Sequence, residues 1–269
     1  MKVVLFCGGM GLRLHPTTEN IPKPLVLVGG KPVLLLLMKY YSYFGYKEFI
    51  LCLGYKGEEI KKFFLNYDEC LQADFVLSNG VKKELFKSDI KDWKVTFVET
   101  GLNTNLGQRL KLVQKYLDKE EMFLANYSDG LTDLHLPQMI NYFIKRDKTG
   151  CLIAVKPTVA FHSVSISKDG YVKKIRQLNQ TPLRINGGFF VFKKQVFDYI
   201  RSGEDLVNEP FQRLISKNEL IAYPYDGFWA SLDTYKDKQR LDELASNNAS
   251  FWEIWNGNNR KGSGEKPHA

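Results

Sequence analysis

Short runs of consecutive apolar residues alternate along the chain with segments whose apolar positions recur every three to four residues. Val3 to Cys7, Phe49 to Leu53, Val95 to Glu99, Met122 to Tyr127, Cys151 to Val155 and Phe189 to Phe192 are of the first kind. Runs of that length, bounded by glycine or polar turns, predict strands buried on both faces. Val33 to Phe44 predicts a helix that is apolar nearly all round and therefore buried. Glu58 to Leu65, Leu106 to Leu117 and Leu136 to Arg146 predict further helices. Strand followed by helix, with short connections, implies an α/β fold of parallel strands covered by helices on both faces. In such sheets ligands bind beyond the carboxyl ends of the strands. Gly8 to Gly11 and Ser128-Asp129-Gly130 each follow a predicted strand, so both are expected in one crevice.

The stretch from Leu65 to Lys94 is irregular and charged and reads as an insertion or partner-contacting segment. Residues 1–255 read as one domain. The tail, residues 256–269, is rich in Gly, Asn and Ser; it is expected to be flexible and fits an appended remnant. Trp252 and Trp255 fall in a late helical pattern and are expected to dock the C-terminal segment or to meet another subunit. Phe189, Phe190 and Phe192 read as core.

Composition narrows the classes without choosing one. Of 269 residues, 44% are hydrophobic and 25% charged, which excludes disordered and collagen-like chains. The apolar run Val33 to Met38 is far shorter than the ~20 residues a membrane span needs. The N-terminal apolar stretch breaks at glycines and reads as a buried strand rather than a secretory leader, so a cytoplasmic protein is expected. Cys7, Cys52, Cys70 and Cys151 lack metal-ligand spacing, and three of them sit in apolar runs as buried thiols. The formal charge of +8 suits anionic partners. Because the basic residues are spread along the chain, neither nucleic acid nor a membrane is the expected partner.

The strongest local signal is Gly8-Gly9-Met10-Gly11-Leu12-Arg13-Leu14 followed by Pro22-Lys23-Pro24. Leu14 stands where a dinucleotide fingerprint has its third glycine, and no Lys-Ser/Thr pair completes a Walker loop. Glycines let backbone N–H groups approach phosphate oxygens, and Arg13 and Lys23 add fixed positive charge. Taken alone, a tight turn with two surface cations accounts for the segment equally well.

These residues, with Gly29-Gly30-Lys31-Pro32, resemble the opening of the sugar-1-phosphate nucleotidyltransferases. Gly54-Tyr55-Lys56-Gly57, Thr100-Gly101 through Gly107 and Arg109, Asn126 to Gly130, Ile185 to Val191, Glu209-Pro210 and Gly227-Phe228-Trp229 to Asp233-Thr234 follow in the order seen in the glucose-1-phosphate cytidylyltransferases. The resemblance runs from Met1 to Trp255. It implies a Rossmann-like, mostly parallel mixed sheet flanked by helices, and a homo-oligomer.

It also implies chemistry. A phosphate oxygen of the acceptor attacks the α-phosphorus of CTP, pyrophosphate leaves, and a CDP-activated metabolite for surface polysaccharide results. Asp129 and Asp233 would hold Mg²⁺, Arg13 would bind the departing β- and γ-phosphates, and Lys23 would sit at the α-phosphate. Phe6, Cys7, Gly8, Gly9, Gly11, Thr104, Gly107 and Ser128 would frame the nucleotide. Lys174, Arg176, Arg184, Asn186, Gly187, Glu209 and Trp229 would surround the small phosphorylated acceptor. No nucleophilic side chain is needed, and His15, His135, His162 and His268 have no triad partners.

Three departures from the family pattern stand out. Leu12 replaces a threonine, Gln108 replaces a glycine before Arg109 and is expected to crowd the loop near the nucleotide, and the Glu-Lys-Pro whose lysine clamps the sugar phosphate reads Arg176-Gln177-Leu178-Asn179. Lys174, Arg176 or Arg184 is expected to take over from that lysine. A non-sugar acceptor, such as a phosphorylated amino acid or polyol, is the alternative. A regulatory nucleotide-binding protein without catalysis is a further one, against which the retained Asp129, Asp233, Arg13 and Lys23 argue.

Overall fold

The computed structural model describes residues 1–14, 21–71, 74–85, 90–158 and 161–256. His15, His268 and the tail from residue 257 onward lie outside them. The first half of the chain runs β1 (Val3–Phe6), a ribbon of β2 (Leu27–Val28) and β3 (Lys31–Pro32), α1 (Val33–Tyr43), β4 (Glu48–Leu53), α2 (Gly57–Leu65), a hairpin of β5 (Phe75–Ser78) and β6 (Lys82–Leu85), β7 (Lys94–Glu99) and α3 (Leu106–Val113). Next come β8 (Met122–Tyr127), β9 (Gly130–Thr132), α4 (Leu136–Arg146), β10 (Gly150–Val155) and a hairpin of β11 (His162–Ile166) and β12 (Val172–Gln177). The chain closes with β13 (Ile185–Asn186), β14 (Phe190–Lys193), α5 (Glu209–Ser216), β15 (Leu220–Tyr225), β16 (Trp229–Ser231) and α6 (Tyr235–Ser246).

β7, β4, β1, β8, β14 and β10 lie side by side in the main sheet, with β13 and β15 pairing to β10. β7, β4, β1 and β8 are parallel, whereas β14 runs antiparallel to both β8 and β10. The sheet is thus mostly parallel and mixed. Alternation along β1 divides the core: Val3 and Leu5 pack with α1 and α4 on one face, and Val4 and Phe6 pack with Leu110, Val113 and Leu214 on the other. Helix α1 is sealed in, with Val33 to Met38 all buried, which is why its sequence carries no polar face. None of the described helices is long and apolar enough to cross a membrane.

The segment between α2 and β7 forms, where described, the exposed hairpin β5–β6. The late helical pattern stops earlier than the tryptophans. Helix α6 ends at Ser246, and Asn248 adopts φ 55°, a left-handed conformation that breaks the helix. Trp252 lies in the turns beyond it, buried against Phe228 at 5.7 Å between ring centroids. It therefore anchors the C-terminal segment within this chain. Phe189, Phe190 and Phe192 are core, as their pattern predicts.

Candidate active site

The carboxyl ends of three of the four parallel strands open into one crevice of about 750 Å³, a volume suited to a small-molecule ligand. Gly8 to Arg13 follow β1, Leu102 to Leu106 follow β7, and Tyr127 to Asp129 end β8. Lys23 comes from a single 3-10 turn (Lys23–Leu25) whose flanking prolines fix its backbone. Asp233 arrives from β16, which pairs antiparallel with β9 immediately after Asp129.

Two acids and two cations meet on one side of this crevice. Lys23 Nζ lies 2.9 Å from Asp233 Oδ1 and is also in contact with Asp129 Oδ2. Arg13 Nη2 reaches Asp233 Oδ1 at 2.8 Å, and the Ser231 hydroxyl donates to Asp233 Oδ2 at 2.9 Å. Burial pushes the Asp233 carboxyl up, but Lys23, Ser231 and Arg13 together outweigh it and hold the group below its ordinary value. Burial likewise pushes Lys23 down, and the two aspartates reverse that, leaving the ammonium raised. Asp233 is thus ionised, and Lys23 charged, through the neutral range.

One cation already touches both carboxylates, so Asp129 and Asp233 are close enough to share a metal ion. Among the described residues no group of three or more His, Cys, Asp or Glu converges. An ion between these two acids would take its remaining ligands from phosphate oxygens and water, which is the habit of Mg²⁺. The residues present fit that ion.

Arg109 is central to the crevice, although its sequence context marks it only as part of a motif. It is 4% exposed, yet its partners are all neutral. Nη1 donates to Leu53 O at 3.0 Å and to the Thr100 hydroxyl at 2.6 Å, and Nη2 donates to Gly8 O and Leu102 O, each at 3.2 Å. The guanidinium therefore ties together the segments that follow β1, β4 and β7. Gly8 is obligatory above it, since a Cβ there would lie 2.0 Å from Arg109 Nη1. No sequence signal announces this role, because three of its four acceptors are backbone carbonyls.

Of the residues predicted to frame the nucleotide, Phe6, Gly8, Gly9, Gly11, Thr104 and Ser128 line the crevice. Cys7 and Gly107 do not. The Cys7 side chain is buried and its thiol is pushed well above the ordinary value, chiefly by burial. Gly107 faces away, where a Cβ would lie 2.4 Å from Glu204 O, so it serves the approach of α3 to the 204–206 turn. Gln108 does not line the crevice either. It lies on α3 and its amide donates to Arg201 O at 2.7 Å. Leu12 stands at the mouth, 69% exposed.

The residues predicted around the acceptor divide into two sets. Asn186 Nδ2 donates to the Tyr127 hydroxyl at 3.2 Å, and Trp229 Nε1 donates to Gly187 O at 2.9 Å, so Asn186, Gly187 and Trp229 form a wall joined to the crevice through Tyr127. Burial, the dominant cause, raises the Tyr127 phenol to about 12. Lys174, Arg176, Arg184 and Glu209 do not line the crevice. Lys174 and Arg176 are exposed on β12, and Glu209 is exposed at the start of α5. Arg184 is committed elsewhere: its guanidinium pairs with Asp226 at 2.9 Å and donates to Ala154 O and Tyr225 O.

A profile of the family described as Nucleotidyl transferase matches residues 2–238. The chain is 36% identical over 258 residues to the glucose-1-phosphate cytidylyltransferase of Salmonella typhimurium, covering 95% of this chain and 100% of that protein. Its identity to the glucose-1-phosphate cytidylyltransferase of Salmonella typhi is also 36%, over 261 residues and with the same coverage. Among solved structures, apo UDP-glucose pyrophosphorylase aligns with a TM-score of 0.68 at 14% identity, over 92% of this chain and 99% of that one. HddC from Yersinia pseudotuberculosis complexed with GMP-PN aligns with a TM-score of 0.63 at 23% identity, over 90% and 98%. The two structural likenesses establish the fold.

Proposed function

The chain belongs to the nucleotidyl transferase family, and on that premise we propose that it is a CTP-dependent cytidylyltransferase acting on a sugar 1-phosphate. The reaction forms a bond between an acceptor phosphate oxygen and the α-phosphorus of CTP. It breaks the bond to the bridging oxygen of the β-phosphate, and pyrophosphate leaves. The choice of CTP is supported by full-length relatives that carry the cytidylyltransferase name. The observation that carries the reading is Lys23 lying between Asp129 and Asp233 beside the Gly8–Gly11 turn.

Each side chain has a task in that chemistry. Asp129 and Asp233 would hold Mg²⁺, which when bound neutralises the phosphate oxygens of two mutually repelling anions. Lys23, released from the acids by such an ion, is placed to meet charge at the α-phosphate. Arg13, whose side chain is 73% exposed at the mouth, is placed for the departing pyrophosphate. Tyr127, Asn186, Gly187 and Trp229 would wall the acceptor.

A CDP-linked sugar suits surface-polysaccharide assembly, and the use of CTP, an intracellular metabolite, supports a cytoplasmic location. Exposed apolar side chains on the two hairpins, Leu77 on β5 and Val164 and Ile166 on β11, support a homo-oligomer. A single-chain mass by light scattering would refute it. The activity itself is tested by pyrophosphate release from CTP with Mg²⁺ and a panel of acceptors. Release with hexose 1-phosphates is expected. Release only with phosphorylated amino acids or polyols would move the acceptor class, and tight CTP binding without turnover on any acceptor would refute catalysis.

A further inference from the structure

The two acids of the site leave the same short ladder. Asp129 immediately precedes β9 and Asp233 follows β16 by two residues, with Gly130 opposite Ser231 and Thr132 opposite Trp229. Leu232 N donates to Asp129 O at 3.0 Å and closes the ladder at the acid end. A ladder of three residues a strand is weakly specified, and a slip of one residue would move an acid by about 3.3 Å and turn it to the opposite face.

The other end of the ladder is fastened by a residue outside the crevice. Asp133 Oδ1 accepts from Phe228 N at 2.8 Å and from the Tyr225 hydroxyl. Beside it, the Thr132 hydroxyl donates to Phe228 O at 2.7 Å and Asp133 N donates to the same oxygen at 3.3 Å. Tyr225 ends β15, which belongs to the main sheet, so one carboxylate joins β9, the turn leading into β16, and the sheet edge. Gly227 presses on that junction: a Cβ there would lie 2.2 Å from the Tyr225 hydroxyl oxygen. Asp133 is partly buried, and burial pushes its carboxyl up against its hydrogen bonds.

We propose that Asp133 is a positioning residue that fixes the register of β9 against β16, and so sets the separation at which Asp129 and Asp233 share one cation. The inference rests on reading those two acids as a divalent-cation site. Mg²⁺ and Mn²⁺ tolerate little error in ligand placement, and residues that orient metal ligands at one remove typically change affinity ten- to a hundredfold, so about tenfold is expected here.

The test is Mn²⁺ binding in the presence of CTP, followed by the paramagnetic resonance of free Mn²⁺, for the wild type and for Asp133→Ala, Asp133→Asn, Tyr225→Phe and Asp233→Asn. Asp133→Ala should weaken Mn²⁺ binding about tenfold, and Asp133→Asn, which keeps an oxygen for both donors, should restore it to within about twofold. Tyr225→Phe should fall between, and the KM for CTP at saturating metal should not move. A lowered melting temperature with unchanged Mn²⁺ affinity in Asp133→Ala would overturn the proposal. If that variant does not fold, unchanged affinity in Tyr225→Phe overturns it equally. Wild-type protein whose Mn²⁺ binding is untouched by Asp233→Asn would sink the cation-site reading itself, and the positioning role with it.

Discussion

Replacing Arg109 by methionine should injure the crevice from beneath. Methionine fills much of the same volume but withdraws the guanidinium from Leu53 O, Gly8 O, Leu102 O and the Thr100 hydroxyl, of which Leu53 O keeps the Thr100 N–H and hydroxyl and Gly8 O keeps the Tyr55 N–H. Hydrogen bonds to a charged group contribute about 1.5–3 kcal/mol each, and the four share one guanidinium whose own burial is unfavourable, so a net loss of about 3 kcal/mol is expected. At about 2–4 °C per kcal/mol for a chain of this size, the melting temperature should fall by about 6–12 °C. The freed segments after β1 and β7 line the crevice, so the KM for CTP should rise severalfold more than kcat falls. Arg109→Lys should not rescue, because an ammonium has three donors and no planar fork to reach four acceptors on separate segments. Differential scanning fluorimetry and steady-state pyrophosphate release measure both effects. An Arg109→Met protein that melts within about 2 °C of wild type with an unaltered CTP KM would refute the reasoning.

Three further substitutions have outcomes that follow from named contacts. Lys23→Met should lower kcat by about 10²–10³-fold, read by pyrophosphate release, because it removes a preorganised charge from the reacting phosphates. The same substitution changes the acid limb of stability. The depressed Asp233 carboxyl stabilises the wild type above its ordinary value of about 4, and that contribution is lost as pH falls through the lower folded value. Melting curves between pH 3 and 6, a range chosen to bracket about pH 4, should therefore show a smaller acid-induced loss in Lys23→Met than in wild type. Gly107→Ala places a methyl group against Glu204 O and should cost about 1–3 kcal/mol in urea denaturation. Gln108→Gly, by contrast, should leave the CTP KM within about twofold of wild type, since its amide faces Arg201 O rather than the crevice.

The parallel strands were legible because they are buried on both faces, so β1, β4 and most of β8 appear in sequence as continuous apolar runs. Helix α1 was legible for the same reason. β15 was not, because Pro224 reads as a breaker, although it is tolerated on a strand paired only with β10. Helix α6 fully buries only Leu241, so its apolar period is faint, and its start is marked by the capping box of Thr234 and Asp237. The hairpin β11–β12 exposes apolar and charged residues alike, and nothing in its pattern marks it as paired.

In the site, the glycine turn, Arg13, Lys23, Asp129 and Asp233 were readable as a set, and the structure brings them together. Arg109 was not readable as a brace because sequence does not display carbonyl acceptors. The direction of Gln108 and Gly107 depends on where the 201–206 turn packs, a long-range contact that local pattern does not encode.

The central claim is that Asp129 and Asp233 hold one divalent ion against the phosphates of CTP. Crystals of the protein grown with CTP and Mn²⁺ test it through anomalous scattering. A single manganese peak between the two carboxylates, with Lys23 turned onto the α-phosphate, is the predicted result. A peak elsewhere, or a nucleotide bound outside the Gly8–Gly11 crevice, would contradict it.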